Sequence, residues 1–245
     1  MSKFFKGILR HVKNEDEDFA YTAAEDSCTG GSCLILGAES IVGGEFALLL
    51  AARRLKIAVA ISQETKETSS FVNKLKEAGA EEAMVVQYSP GQENTVKRAV
   101  RDVASRFGGL ALLVVALEAP VLCSLSETRN LTKLAQNVMD ANYLANVFFT
   151  HFAMPHLRKE GGRVVALSDP SSETNPLFAA SCAATLAFFQ TVQAEDTGVS
   201  FITVTAPNSC PFAFNGAGAL VQQDMTEHGV GDPKELAKIL EAATH

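Results

Sequence analysis

The chain contains no tryptophan and only three tyrosines, Tyr21, Tyr88 and Tyr143, against fifteen phenylalanines. Phenolic hydroxyls are scarce, so proton chemistry that needs one has few candidates. No run of eighteen apolar residues is present, and no transmembrane helix is expected. The opening stretch MSKFFKGILRHVK is too short and too broken by charge for a secretory apolar core. There is no long basic stripe and the formal net charge is -7, so no nucleic-acid partner is expected. The five cysteines, Cys28, Cys33, Cys123, Cys182 and Cys210, form no regular framework. An odd, scattered set suits free thiols in a reducing compartment, which predicts a cytoplasmic location. Cys28 and Cys33 are spaced C-x4-C with no partner ligands nearby, so no metal is expected.

What the 245 residues do carry is regular apolar periodicity, with 47% hydrophobic and 20% charged residues. SCLILGA, IAVAIS, AMVVQY, LALLVVAL, GGRVVALS and VSFITVTA read as six strands, several of them apolar on both faces. Between them lie helical patterns: GGEFALLLAARRL, SSFVNKLKEAGA, TVKRAVRDVASRFGG, one long helix LAQNVMDANYLANVFFTHFAMPHLRK, and the run holding FAASC. Such alternation predicts an α/β fold, a three-layer, doubly wound parallel sheet of the Rossmann type. A final helix is predicted from the capping signal Asp232-Pro-Lys-Glu235. The segment NSCPFAFNGAGALVQQDMTEHGV reads as a glycine-rich substrate loop. No linker divides the body, which is taken as residues 32–245.

Residues 1–31 form an N-terminal extension of different character. Phe4, Phe5, Ile8, Leu9 and Val12 fall on one helical face, with Lys3, Lys6, Arg10 and Lys13 around the other. The acidic segment NEDEDFAYTAAED follows. Residues 1–13 are expected to dock on a partner or a membrane surface, or to pack on the protein's own body or a sister subunit.

The phrases GAESIVGGE, ASRFGGLALLVV, NVMDANYLANVFFTHFAMPHL, EGGRVVALS and TVTAP, in this order, resemble the short-chain dehydrogenase/reductase (SDR) family from about Ser32 to Ala243. The resemblance implies an NAD or NADP site at the first glycine turn. In that family the turn reads T-G-x-x-x-G-x-G. Here Leu36 replaces the Thr, Gly37 matches, Ile41 replaces the middle Gly and Gly43 matches the last. A β-branched Cβ at the middle position would crowd the phosphates. Ser62 and Gln63 occupy the positions that choose between a ribose hydroxyl and a 2′-phosphate, and Ser89 stands for the adenine-edge Asp. The family's N-N-A-G has become Val115-Ala116-Leu117-Glu118. The candidate cofactor positions are thus Gly37, Ser40, Ile41, Gly43 and Ser62, a weakened set.

The resemblance also implies a reacting centre: a tyrosine passing the proton, a lysine four residues on, a serine, and an asparagine completing a relay. Those positions hold Phe178, Cys182, Asp169 and Asn142. Phenylalanine keeps the ring and loses the acid. The leading expectation is therefore a pseudoenzyme with a binding, scaffolding or regulatory role. The alternative is an active NAD(P)-dependent carbonyl reductase or alcohol dehydrogenase with non-standard groups. There Asp169 would be a raised-pKa acid, or Cys182 a nucleophile served by His151 or His156. The plainer readings are Cys182 as a core side chain, Asp169 as a turn starter and Asn142 at a helix kink. Family members pair through two long helices, here residues 134–157 and 176–193. A homodimer, or a heteromer with a related subunit, is expected. A tetramer is not, because the family's C-terminal T-G…D-G-G signature is not found before His245.

Overall fold

A computed structural model describes residues 31–116, 130–168, 176–195, 198–205, 212–214 and 220–222. The N-terminal extension up to residue 30, Asp169, Leu117-Glu118 and the helix expected from Asp232 lie outside the described residues.

Six strands form one parallel sheet: β1 (Ser32–Leu36), β2 (Lys56–Ile61), β3 (Glu82–Gln87), β4 (Leu112–Ala116), β5 (Arg163–Ser168) and β6 (Ser200–Thr205). Their order is β3-β2-β1-β4-β5-β6, with Leu36 level with Ala60 on one side and Val115 on the other. This is the doubly wound arrangement the alternating pattern predicts, with its switch point between β1 and β4. Successive side chains point to opposite faces, so each central strand feeds two cores. Cys33, Ile35, Ile57, Val59 and Val114 face one cluster; Leu34, Leu36, Leu113, Val115 and Ala166 face the other.

Helices α1 (Ile41–Ala52) and α2 (Lys66–Glu77) cover the first face with Phe46, Leu50, Phe71 and Leu75. The Thr65 hydroxyl caps α2 by accepting the Thr68 amide at 3.3 Å, and Gly79 follows its end at φ +110°. Helix α3 (Glu93–Phe107) covers the second face and stops at Gly108 in the left-handed conformation. The long helix expected over 134–157 is longer and interrupted. It comprises α4 (Leu131–Met139), a π-turn (Asp140–Leu144) and α5 (Ala145–Glu160). Helix α6 (Pro176–Gln193) packs beside it. Burial of side chains such as Phe149, Phe189 and Leu157 stabilises this layer by about 1.5–3 kcal/mol each. A short antiparallel pair, β7 (Phe212–Phe214) with β8 (Leu220–Gln222), lies in the stretch read as a loop. Period-2 patterning over three residues was too short to mark it.

Candidate functional site

The switch point places the turn after β1 against the end of β4. Gly37 has φ +75°, and a Cβ there would run into the Ala116 carbonyl oxygen. A Cβ on Gly43 would collide with the Gly37 carbonyl and stand 2.9 Å from the Ala116 Cβ. Both glycines are therefore required by the close approach of turn, helix and strand, before any ligand is considered. Ser40 closes the same turn. Its hydroxyl donates to the Gly37 carbonyl at 2.7 Å and accepts the Gly43 amide at 3.0 Å. One amide at the α1 N-terminus thus has a partner within the chain. Ile41 is the first residue of α1, at the position where the family keeps the glycine that admits phosphate. The charged side chain in this turn is Glu39. Desolvation pushes its carboxyl up, partly opposed by its own backbone amide. The residue is largely open to solvent, so screening leaves that shift little leverage on stability. A carboxylate beside a phosphate about 4 Å away would be repelled by roughly 1 kcal/mol even in water.

The second part of the site lies where α6 crosses the π-turn. Phe178 and Cys182 share one face of α6, as their four-residue spacing predicts, and are 2% and 4% exposed. Both belong to the core cluster that holds Phe149, Ala166 and Phe189. Asn142 is buried in the π-turn, where the Ala145 amide reaches back five residues to the Asp140 carbonyl. The Asn142 backbone carbonyl accepts from Asn146 Nδ2 at 2.5 Å and from the Thr185 hydroxyl at 2.7 Å. Asn142 Nδ2 reaches Ser181 Oγ at 3.4 Å, and that hydroxyl donates to the Phe178 carbonyl at 2.7 Å. Four buried polar side chains therefore find partners beside Phe178 and Cys182, one pair in each other and the rest in backbone carbonyls of the π-turn and α6.

The fold brings together Asn142, Phe178 and Cys182, and separately Gly37, Ser40, Ile41 and Gly43. Ser62 is exposed after β2, and Ser89 is exposed, with its amide bound to Thr95 Oγ1 at 2.9 Å. His151 is exposed and stacks edge-on against Phe152, while His156 lines a cleft against α3. Neither imidazole's described contacts include Cys182. Ser181, Thr185 and Asn146 escaped the sequence reading. Their signal was polar residues four apart on apolar helices, Ser181 with Thr185 and Asn142 with Asn146. Tyr143, far from α6 in sequence, packs edge-on against Phe188 of that helix at 6.5 Å, although Phe188 lies ten residues, about 15 Å of helix, beyond Phe178. Among the described residues no cluster of His, Cys, Asp and Glu could hold a metal, and no helix is long and apolar enough to cross a membrane.

The family model "short chain dehydrogenase" matches residues 32–217. The chain is 27% identical over 235 residues to 11-beta-hydroxysteroid dehydrogenase A of Sesamum indicum, covering 92% of this chain and 64% of that protein. It is 28% identical over 221 residues to 11-beta-hydroxysteroid dehydrogenase 1A of Arabidopsis thaliana, covering 86% and 63%. The chain thus spans less than two thirds of the length of either relative. An alcohol dehydrogenase of Thermococcus sibiricus, solved with 5-hydroxy-NADP, shares the fold at a TM-score of 0.70 and 18% identity, covering 86% of this chain and 89% of that one.

Proposed function

The chain belongs to the short-chain dehydrogenase family, and from that premise we propose that it is a catalytically silent member, keeping the fold for binding, scaffolding or regulation. The observation that carries this reading is the burial of Phe178 and Cys182, at the tyrosine and lysine positions, within the α6 core. A bound nicotinamide would supply the hydride, and the protein would have to supply the proton. A phenyl ring has no acidic proton to give, and the Cys182 thiol is packed in the core at the lysine position rather than the tyrosine one. Loss of a positioned general acid costs roughly 10²–10⁴ in rate. The turn supports the same conclusion: the two glycines retained are those the fold itself requires, and the one replaced is the one that admits phosphate.

Pairing of two copies, or of this chain with a related subunit, through α4–α5 and α6 belongs to the proposal. The outer face of α6 exposes Ala180, Ala183 and Ala187, a smooth surface for helix packing. Ala183→Arg should then convert a dimer to a monomer in sedimentation velocity.

A second reading rests on the relatives, whose names are those of dehydrogenases and whose matches span most of this chain. It is a short-chain oxidoreductase with non-standard groups. Titration with NADH and NADPH, followed by thermal shift, separates the two. A ligand at a hundred times its Kd stabilises by about 2.7 kcal/mol. We expect no shift with either dinucleotide. Binding followed by carbonyl-dependent oxidation of NADPH would establish the second reading instead.

A further inference from the structure

Helices α3 and α5 leave a cleft of about 550 Å³ between them, lined by Lys97, Arg98, Arg101, Phe152 and His156. A smaller cleft of about 160 Å³ shares His156 and extends past Lys159 to Gly108 and Gly109. Together they form a trough along the two helices. Its upper part is basic and aromatic: Lys97 Nζ stands 5.8 Å from the Phe152 ring centroid. Arg101 is paired with Asp102 at 2.9 Å and the lower cleft carries both Lys159 and Glu160, so the net positive charge rests mainly on Lys97 and Arg98.

The chain enters the fold at the lower end of this trough. The Lys56 amide donates to the Gly31 carbonyl at 2.9 Å, and Ser32 Oγ donates to the Gly109 carbonyl at 2.9 Å. Just before that point the sequence carries Glu15, Asp16, Glu17, Asp18, Glu25 and Asp26, with no lysine or arginine between Asn14 and Asp26. Phe19 and Tyr21 lie within the same stretch. Gly108 lies eleven residues beyond Lys97 along α3, about 16 Å of rise. The thirteen peptide links from Asp18 to Gly31 can span up to about 45 Å. Length, exit point and charge agree.

We propose that the acidic segment Asn14–Asp26 of this chain lies along the α3–α5 trough, its carboxylates on Lys97 and Arg98 and an aromatic ring against Phe152. The contact would cover the trough in the folded protein and hold the segment on the body. It goes beyond the silent-member reading and stands whether or not the protein turns over a substrate.

Zero-length carbodiimide cross-linking of the full chain, read by mass spectrometry of the monomer band, tests it. Links from carboxylates of residues 15–26 to Lys97 or Lys159 are expected. Their yield should fall at least about fivefold at about 1 M salt, where the screening length is about 3 Å. Arg98→Glu should reduce the Lys97 link, and pairing it with Asp16→Lys and Asp18→Lys should restore the yield of that link from the segment's remaining carboxylates. A misfolded variant could not be rescued by a change in the tail. Links found only in a dimer band would assign the trough to a second copy and overturn the proposal. Links scattered equally to Lys56, Lys74 and Lys76, or none at all, would overturn it too.

Discussion

The Thr185 hydroxyl stands 2.7 Å from the Asn142 backbone carbonyl and so ties α6 to the π-turn. The same hydroxyl is 2.9 Å from the Ser181 carbonyl, one turn back on its own helix. Side chains of this chain thus engage a carbonyl that the interrupted helix presents toward α6. Thr185→Val keeps the shape and removes the donor. It should destabilise by about 1 kcal/mol in urea unfolding. Ser181→Ala should cost a similar amount, and the double variant should be non-additive, because both residues act in one network. Additive costs would show that the two hydroxyls act separately.

The retained glycines carry a second prediction. Gly43→Ala puts a methyl group against the Gly37 carbonyl and the Ala116 Cβ. The turn cannot yield without displacing β4, so the loss should be about 2 kcal/mol or more in urea unfolding. A variant with unchanged stability would mean that the fold does not need this glycine, leaving a ligand as the reason for its retention.

The strand pattern and the order of helices were legible in the sequence because parallel strands buried on both faces are apolar at every position. Leu34 and Ile35 show this, lying on opposite faces and both fully buried. The kink read at Asn142 falls where the helix is interrupted, but its form, a π-turn, was not legible. Asn142 sits in a run with helical periodicity, and the donors that meet its carbonyl include Thr185, 43 residues away. The glycine turn could be read as a motif. The different duties of Gly43 and the position held by Ile41 became visible only with Ala116 in place. Tyr143 shows the same limit: sequence distance from α6 hid an edge-on contact with Phe188.

Phe178 and Cys182 allow a direct test of core against emptied pocket. In a pocket that had merely lost its side chains, a lysine at position 182 would find space and solvent. In the core described, Cys182→Lys buries an uncompensated cation and should destabilise by about 3 kcal/mol or more. Phe178→Tyr adds only a hydroxyl and should cost about 1–2 kcal/mol if that group finds no partner. Neither change should confer carbonyl-dependent NADPH oxidation. Lysine tolerated at 182 with little loss of thermal stability would argue for the oxidoreductase reading.

Cys33 predicts a dependence on alkaline pH. It is fully buried in β1, and desolvation raises its thiol well above the ordinary value of 9.0. In the unfolded chain the thiol loses its proton near that ordinary value, while the folded chain keeps it. Above about pH 9 the folded state therefore binds more protons, and stability falls as pH rises toward the folded pKa. One proton accounts for at most about 1.4 kcal/mol per pH unit. Cys33→Ala removes this contribution and adds a cavity cost that does not vary with pH. Urea midpoints at pH values from about 8 to about 10.5 should show the wild-type advantage over the variant shrinking steadily above about pH 9. A gap that stays constant across the range would mean that the Cys33 thiol ionises as readily in the folded protein as in the unfolded chain.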